Sequence, residues 1–123
     1  MSNKTLYIGG AIIAVALIVF GTWWYQATPG KYDTFAQCLG ERGAKFYGAF
    51  WCPHCQEQKA LFGKSEKLLP YIECSTPNGQ EQLQQCIDQG IQGYPTWEFS
   101  DGERISGVVS LEALSGKTGC ELP

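Results

Sequence analysis

Lys45-Phe46-Tyr47-Gly48-Ala49-Phe50-Trp51-Cys52-Pro53-His54-Cys55, continued by Gln56-Glu57-Gln58-Lys59-Ala60-Leu61-Phe62-Gly63, decides how this chain is read. The first seven residues are rich in aromatics and uncharged after Lys45, the pattern of a buried strand. Gln56 to Phe62 are good helix formers, and Gly63 supplies a stop. Pro53 stands where a first helical turn accepts proline. Between strand and helix, two thiols flank a proline and the chain's one histidine. A Cys-x-x-Cys pair closes a small disulfide, and the residues around it set how readily that bond opens.

The junction has chemical consequences. The first N–H groups of a helix lack intrahelical partners, and the helix dipole is positive there. Both favour a thiolate at Cys52. A helix terminus contributes up to about 2 kcal/mol in good geometry, or roughly 1.5 pK units, which alone would bring a thiol from about 8.5 to about 7. His54 reads as a further tuner of that thiolate. The sequence therefore predicts Cys52 as the exposed attacking sulfur and Cys55, one turn into the helix, as the buried resolving one. The competing reading is half of a zinc site. Zinc takes four ligands; the one histidine lies inside the motif and no second Cys-x-x-Cys exists. No metal is expected.

Strand, Trp-Cys-x-x-Cys and helix together resemble the thioredoxin superfamily, and Pro53-His54 is similar to the dipeptide of DsbA-type thiol oxidases. A wider set of residues is more specific. Gly48 to Cys55, Gln58-Lys59, Leu61-Phe62-Gly63, Pro70-Tyr71-Ile72-Glu73-Cys74 and Gly90-Ile91-Gln92-Gly93-Tyr94-Pro95-Thr96-Trp97 resemble the thioredoxin-like domain attached to bacterial vitamin K epoxide reductase homologues. The likeness covers nearly all of residues 31–123. It implies an α/β thioredoxin-like fold, with a central four-stranded mixed sheet flanked by helices. It also implies exported proteins with free thiols as substrates, and no cofactor. The multi-span reductase portion of that family is lacking here, so the resemblance implies a separate membrane reoxidant, similar to vitamin K epoxide reductase or to DsbB.

In thioredoxin-like proteins a proline opening the third strand is cis and faces the two cysteines. Tyr94-Pro95-Thr96 matches that position. By this resemblance Pro95 keeps a backbone donor away from the sulfurs, while Tyr94 offers main-chain groups to an extended substrate segment. A trans proline in an ordinary turn is the alternative. Trp51 reads as a shield for the disulfide and part of the substrate surface, although packing alone would explain it. Thioredoxins also bury an acid six residues before the first cysteine, as a base for reduction. Phe46 holds that place here, which leans away from a reductase. Glu57, Lys59 and Glu73 are candidate proton shuttles near Cys55, against the ordinary reading of solvated charges.

The N-terminal quarter is of another kind. From Leu6 to Tyr25 there is no charged residue, and Ile8 to Phe20 is close to continuously apolar. About 20 helical residues at 1.5 Å each cross a hydrocarbon core of about 30 Å. Trp23, Trp24 and Tyr25 form an interfacial aromatic belt. A cleaved signal peptide competes, but its apolar core is about 7–15 residues and it needs a small-x-small site, which Tyr25 spoils near Ala27. The expected organisation is a short cytoplasmic segment over residues 1–5, a transmembrane anchor over 6–25, a linker over 26–32 and a thioredoxin-like domain over 33–123. Six cysteines in 123 residues suit an oxidising compartment, so the domain is expected outside the cytoplasm, on a single-pass cell-membrane anchor. Of nine basic and twelve acidic residues only Lys4 precedes Lys31; residues 31–123 thus carry eight against twelve and a formal charge of −4. With no basic stripe and no glycine-rich phosphate loop, nucleic acid is not an expected partner.

Past the linker, Asp33 can cap a helix reaching about Gly40, with Phe35 and Leu39 on one face. Lys64 to Leu69 adds a helical turn. Tyr71 to Cys74 reads as a strand, Pro77-Asn78-Gly79 as a turn, and Gln80 to Gln89 as a helix with Leu83, Cys86 and Ile87 at helical spacing. Thr96 to Phe99 and Arg104 to Val109 read as strands about an Asp101-Gly102 hairpin. Ser110 opens a last helix, with Leu111 and Leu114 inward and Gly116 or Gly119 as stop. The first two strands should pair in parallel and the last two antiparallel.

With Cys52 and Cys55 set aside as a pair, the other four cysteines allow three pairings. The favoured one joins Cys74 to Cys86, pinning a helix to the sheet and stabilising by roughly 2–3 kcal/mol. Cys38 and Cys120 remain by parity. A second redox pair at Cys74 and Cys86 is the alternative. The function expected is membrane-anchored dithiol oxidation of exported proteins. Its rivals are a reductase or isomerase fed by a membrane electron donor, and a non-catalytic peptide-binding module.

Overall fold

The aromatic run does form the central strand, but a short one. In the computed structural model, which describes residues 2–123, β1 spans Lys45–Gly48. It lies between β2 (Tyr71–Glu73), which is parallel to it, and β3 (Thr96–Glu98), which is antiparallel. β4 (Arg104–Ser106) pairs antiparallel with β3, giving the order β2-β1-β3-β4. The strand stops at Gly48 instead of running on to Trp51 because the ladder ends there. Gly48 O still accepts from the Cys74 N–H at 2.8 Å, but the Phe50 N–H donates to the carboxylate of Glu73 at 2.9 Å. Phe50 and Trp51, expected to be buried strand residues, are accordingly 47% and 50% exposed.

Neighbouring residues of β1 face opposite sides of the sheet, and each side has its own core. Phe46 stacks on Trp97, with centroids 4.9 Å apart. On that side lie Phe35, Ala36 and Leu39 of α2 (Asp33–Glu41), Cys55 of α3 (Pro53–Ala60) and Leu114 of α5 (Leu111–Thr118). Tyr47 faces the other way, toward Cys74, Ile91 and Cys86 of α4 (Gln84–Asp88). Helices thus cover both faces of a four-stranded mixed sheet. This is the thioredoxin-like α/β fold. Each large apolar side chain fully buried this way contributes about 1.5–3 kcal/mol.

Element ends depart from expectation where side chains outcompete propensity. The expected helix over residues 80–89 shrinks to α4, since the chain before it folds back. Ser75 and Gln82 form an antiparallel bridge, and the Leu83 N–H donates to Cys74 O at 2.7 Å. Ile87 is consequently 49% exposed rather than inward. Asp33 does not cap α2; it is the first helical residue, and its carboxylate accepts the Gly30 N–H at 3.0 Å. Gly63, with φ 54°, opens a 3₁₀ segment (Gly63–Leu68). Ser110 Oγ accepts the Ala113 N–H at the head of α5, and Gly119 in the left-handed region stops it.

Two disulfides tie the periphery down. Cys38–Cys120 joins α2 to the C-terminal tail, and Cys74–Cys86 joins the end of β2 to α4.

Ahead of the domain, α1 (Asn3–Ala27) is a 25-residue helix with mean hydropathy 2.1 over its most apolar window and no buried residue. At 1.5 Å per residue it is about 37 Å long. It is long and apolar enough to cross a membrane, a length and composition that a signal sequence also has. Of the expected 1–5 segment, Met1 lies outside the described residues. The helix ends against the domain: Lys64 Nζ donates to Thr28 O and Oγ1 at 2.7 and 2.6 Å and to Tyr25 O, and lies 4.3 Å over the Tyr25 ring.

Candidate functional site: a dithiol at the head of α3

Cys52 is the N-cap residue of α3 and Pro53 occupies its first turn. The extended backbone of Cys52 (φ −77°, ψ 120°) makes the turn from β1 into the helix. Expectation and structure differ here in two ways. The Cys52 side chain makes no capping hydrogen bond to the helix N–H groups; its thiol instead donates to Tyr94 O at 3.7 Å. Nor is Cys52 exposed: it is 6% accessible. Trp51 packs edge-on against Tyr94 at 6.1 Å and donates its indole N–H to Ser75 Oγ at 2.8 Å, so an aromatic rim stands beside the sulfur.

Cys55, one turn on, is fully buried. Burial pushes its thiol up to about 12. A backbone hydrogen bond from Ala49 pulls the other way, while the hydrogen bond with Cys52 and the charge of that group raise it further. Both cysteines are free thiols, unlike the other four. The two sulfurs therefore face each other with very different surroundings. Cys52 sits at the rim, and Cys55 is sealed beneath it.

The remaining expected residues fall as follows. Tyr94–Pro95 is cis, and Pro95 is fully buried at the start of β3. His54 lies on the exposed side of α3, and its ring pairs with Glu57 Oε2 at 3.4 Å rather than with a sulfur. Glu57 is likewise on the surface. Lys59 and Glu73 do converge, through Tyr71. Lys59 Nζ is 3.8 Å from the Tyr71 ring centroid. The Tyr71 hydroxyl donates to Glu73 Oε2, and Glu73 Oε1 takes the Phe50 N–H. Burial and the Glu73 carboxylate hold the Tyr71 hydroxyl far above the ordinary tyrosine range. Among the described residues no group of three or more His, Cys, Asp or Glu side chains is placed to hold a metal ion.

Three organisers of this site escaped the sequence reading. Gly48 has no side chain where one would collide: a Cβ there would lie 2.7 Å from Tyr71 Cε2 and 3.0 Å from Cys55 Sγ. A lone glycine inside a strand is a known mark of close approach, so a signal existed. Gln58, fully buried on α3, fixes the helix by hydrogen bonds to Trp97 and Val109. Tyr71 crowds Gly48 together with Cys55, and its hydroxyl donates to Glu73. Chemically, such a pair can give two electrons to a disulfide when reduced, or take two from a dithiol when joined as a disulfide, provided the sealed sulfur can gain and lose a proton.

Comparison with known proteins agrees with the fold. Over 92 residues, 71% of this chain, it is 45% identical to the thiol-disulfide oxidoreductase LTO1 of Arabidopsis thaliana. Over 84 residues, 58% of the chain, it is 34% identical to a thioredoxin domain-containing protein 5 homolog of Drosophila melanogaster. The matches span 24% and 19% of those two proteins, so the chain corresponds to a quarter or less of each. No family model matches the chain.

Proposed function

We propose that this thioredoxin-like chain is a membrane-anchored, extracytoplasmic thiol–disulfide oxidoreductase that oxidises dithiols in exported proteins. What carries the reading is the contrast among its cysteines: four are tied off in two bridges, and two stand free and facing at the head of α3. The likeness to a thiol-disulfide oxidoreductase over the domain supports the same reaction type.

In the forward reaction a substrate thiolate attacks Cys52 Sγ of the oxidised pair. The Cys52–Cys55 bond breaks, and Cys55 departs as a thiolate that takes up a proton. The second substrate thiolate then attacks the substrate sulfur of the mixed disulfide, and Cys52 leaves. The substrate loses two electrons and the pair gains them. Trp51, Tyr94 and Pro95 rim the place where the substrate strand lies, and His54 and Pro53 shape the motif. A membrane partner resembling vitamin K epoxide reductase or DsbB reoxidises the pair. The oxidase direction draws support from Phe46, which is buried against Trp97 where thioredoxins carry an acid. The anchor is α1, with the domain outside.

A redox titration of the full chain in membranes, read by thiol-alkylation gel shifts, tests this. One couple of the three cysteine pairs should cycle, at a potential well above the roughly −270 mV of thioredoxin and toward the roughly −120 mV of DsbA. A value near thioredoxin's would favour a reductase. Cys55→Ser should trap mixed disulfides through Cys52 in cells; a complete lack of such adducts would leave a peptide-binding module.

A further inference from the structure

Cys55 presents a problem that its own helix does not solve. It is fully buried, yet in the proposed cycle it must pick up a proton each time the pair is reduced and give one up each time the pair is remade. A thiol pushed up to about 12 by burial hardly ionises unaided near neutral pH. The place where thioredoxins keep an acid is filled by Phe46, stacked on Trp97.

The sheet edge next to Cys55 offers another acid. Tyr71 of β2 and Cys55 of α3 both press on Gly48, the point where a Cβ would meet Tyr71 Cε2 at 2.7 Å and Cys55 Sγ at 3.0 Å. The Tyr71 hydroxyl donates to Glu73 Oε2. The other Glu73 oxygen is held by the Phe50 N–H at 2.9 Å, so the carboxylate cannot swing away without freeing the loop that carries Cys52. Lys59, four residues after Cys55 on α3, lays its ammonium over the Tyr71 ring. A depression of about 350 Å³ lined by Lys59, Glu66, Lys67, Leu69 and Tyr71 brings this cluster to the surface.

We infer that Glu73, acting through Tyr71, is the group that takes the proton from Cys55 and returns it. The inference rests on the dithiol chemistry proposed above. Glu73 does not touch a reacting sulfur, so it is a positioning residue with a proton-holding role. When the pair is remade, the Cys55 S–H proton passes by way of the Tyr71 hydroxyl to Glu73, whose carboxylate becomes a carboxylic acid. The Cys55 thiolate attacks Cys52 Sγ, the bond from Cys52 to the sulfur of the reoxidising partner breaks, and that sulfur leaves as a thiolate. In the opposite direction the Cys55 thiolate is discharged by the same proton. Lys59 favours the thiolate by its charge. The other titratable groups facing the cluster are Cys52, Tyr94 beside it, and Glu66 and Lys67 from the 3₁₀ segment. His54 and Glu57 pair with each other on the exposed side of α3.

The test separates the two thiols. The reduced full chain in detergent reacts with an aromatic disulfide that releases a coloured thiolate. Attack by Cys52 releases the first equivalent and leaves a mixed disulfide; attack by Cys55 on Cys52 releases the second. Glu73→Gln, which keeps an acceptor for Phe50, should leave the first phase within about twofold. It should slow the second by about a hundredfold near neutral pH, the size of a lost general base. The slowed rate should climb with each unit of pH and regain the unmutated rate in alkali. Tyr71→Phe, which keeps the ring on Gly48, should show the same pH signature. An unchanged pH profile in both variants overturns the inference, as does an equal slowing of both phases at every pH. If the unmutated chain releases only one equivalent, the dithiol reading itself fails, and this inference with it.

Discussion

Trp97 donates its indole N–H to Gln58 Oε1 at 3.0 Å inside the core, although neither residue is near the other in sequence. The same oxygen accepts the Val109 N–H at 2.7 Å, and Gln58 Nε2 donates to Val109 O at 3.0 Å. One buried amide thus ties α3 to β3 and to the segment entering α5. Helix α3 carries both free cysteines at its head, so this anchor sets where the sulfurs stand relative to Tyr94.

Replacing the amide by an apolar group of similar size should therefore cost far more than its polarity suggests. Gln58→Leu would leave the Trp97 N–H, the Val109 N–H and the Val109 carbonyl buried without partners. Each such group costs about 1–3 kcal/mol, partly offset by the gain in apolar burial. The expected net loss is about 3 kcal/mol, a large part of the 5–15 kcal/mol that holds an ordinary domain together. Urea unfolding of the full chain in mild detergent, followed by tryptophan fluorescence, gives the number; a loss under about 0.5 kcal/mol would show that the anchor matters little.

A smaller change at Gly48 should act on the chemistry directly. The methyl group of Gly48→Ala would fall 2.7 Å from a Tyr71 ring carbon and 3.0 Å from Cys55 Sγ, so ring and sulfur must part. Overpacking a tight site costs typically about 1–3 kcal/mol. Because the displaced atoms belong to the dithiol and its neighbour, the variant should also shift the equilibrium of the Cys52–Cys55 pair against glutathione. Finding the glutathione equilibrium unmoved while stability falls would confine Gly48 to a packing role.

The fold was legible because its signals are local and mutually consistent. Aromatic strand, Pro53 at the first helical turn and Gly119 after the last one each state their own geometry. The losses came where side chains replace backbone partners. Nothing in Phe50-Trp51 reveals that the ladder stops because Glu73, 23 residues on, takes the Phe50 N–H. Residues 80–83 have helical composition, yet Gln82 is held in a bridge with Ser75 and Gln80 and Glu81 bend into it, so the helix starts only at Gln84. At the site, the spacing of Cys52 and Cys55 placed both thiols at the strand-to-helix junction. It could not reveal that Cys52 is covered, since the cover is Tyr94 O, 42 residues away. Gln58 and Tyr71 read as ordinary surface or strand residues until the partners across the sheet are known.

The two disulfides should differ in what they protect. Closing a longer loop removes more freedom from the unfolded chain. Cys38–Cys120 spans a separation of 82 residues and Cys74–Cys86 one of 12, so the loop model gives about 4.5 and about 3 kcal/mol respectively. Cys38→Ala with Cys120→Ala should lower the urea midpoint more than Cys74→Ala with Cys86→Ala. Activity should follow the opposite order. Cys74 directly follows Glu73, and loosening it frees the carboxylate that holds Phe50. Measuring midpoint and substrate oxidation on both double variants checks the reversal; equal ranking in the two assays would contradict it.

The buried Cys55 thiol should leave its mark on stability in alkali. Its folded value, about 12, lies above the 9.0 of an ordinary thiol. Between those values the folded chain holds a proton that the unfolded chain has lost. Stability falls with pH wherever the folded state binds more protons. The contribution is therefore complete below about pH 9 and is lost as pH rises toward 12. Tyr71, Tyr94 and Lys117 are also raised in the folded state and act with the same sign, so the total slope alone is not diagnostic. Oxidation isolates Cys55. With the Cys52–Cys55 bond closed, neither thiol titrates, while Tyr71, Tyr94 and Lys117 remain. The urea midpoint of the reduced chain should thus fall faster between pH 8.5 and 10.5 than that of the oxidised chain, and that of Cys55→Ser, which cannot close the bond, should fall no faster than that of the oxidised chain. Parallel curves for the two redox states would mean that Cys55 ionises as easily in the folded protein as in the open chain.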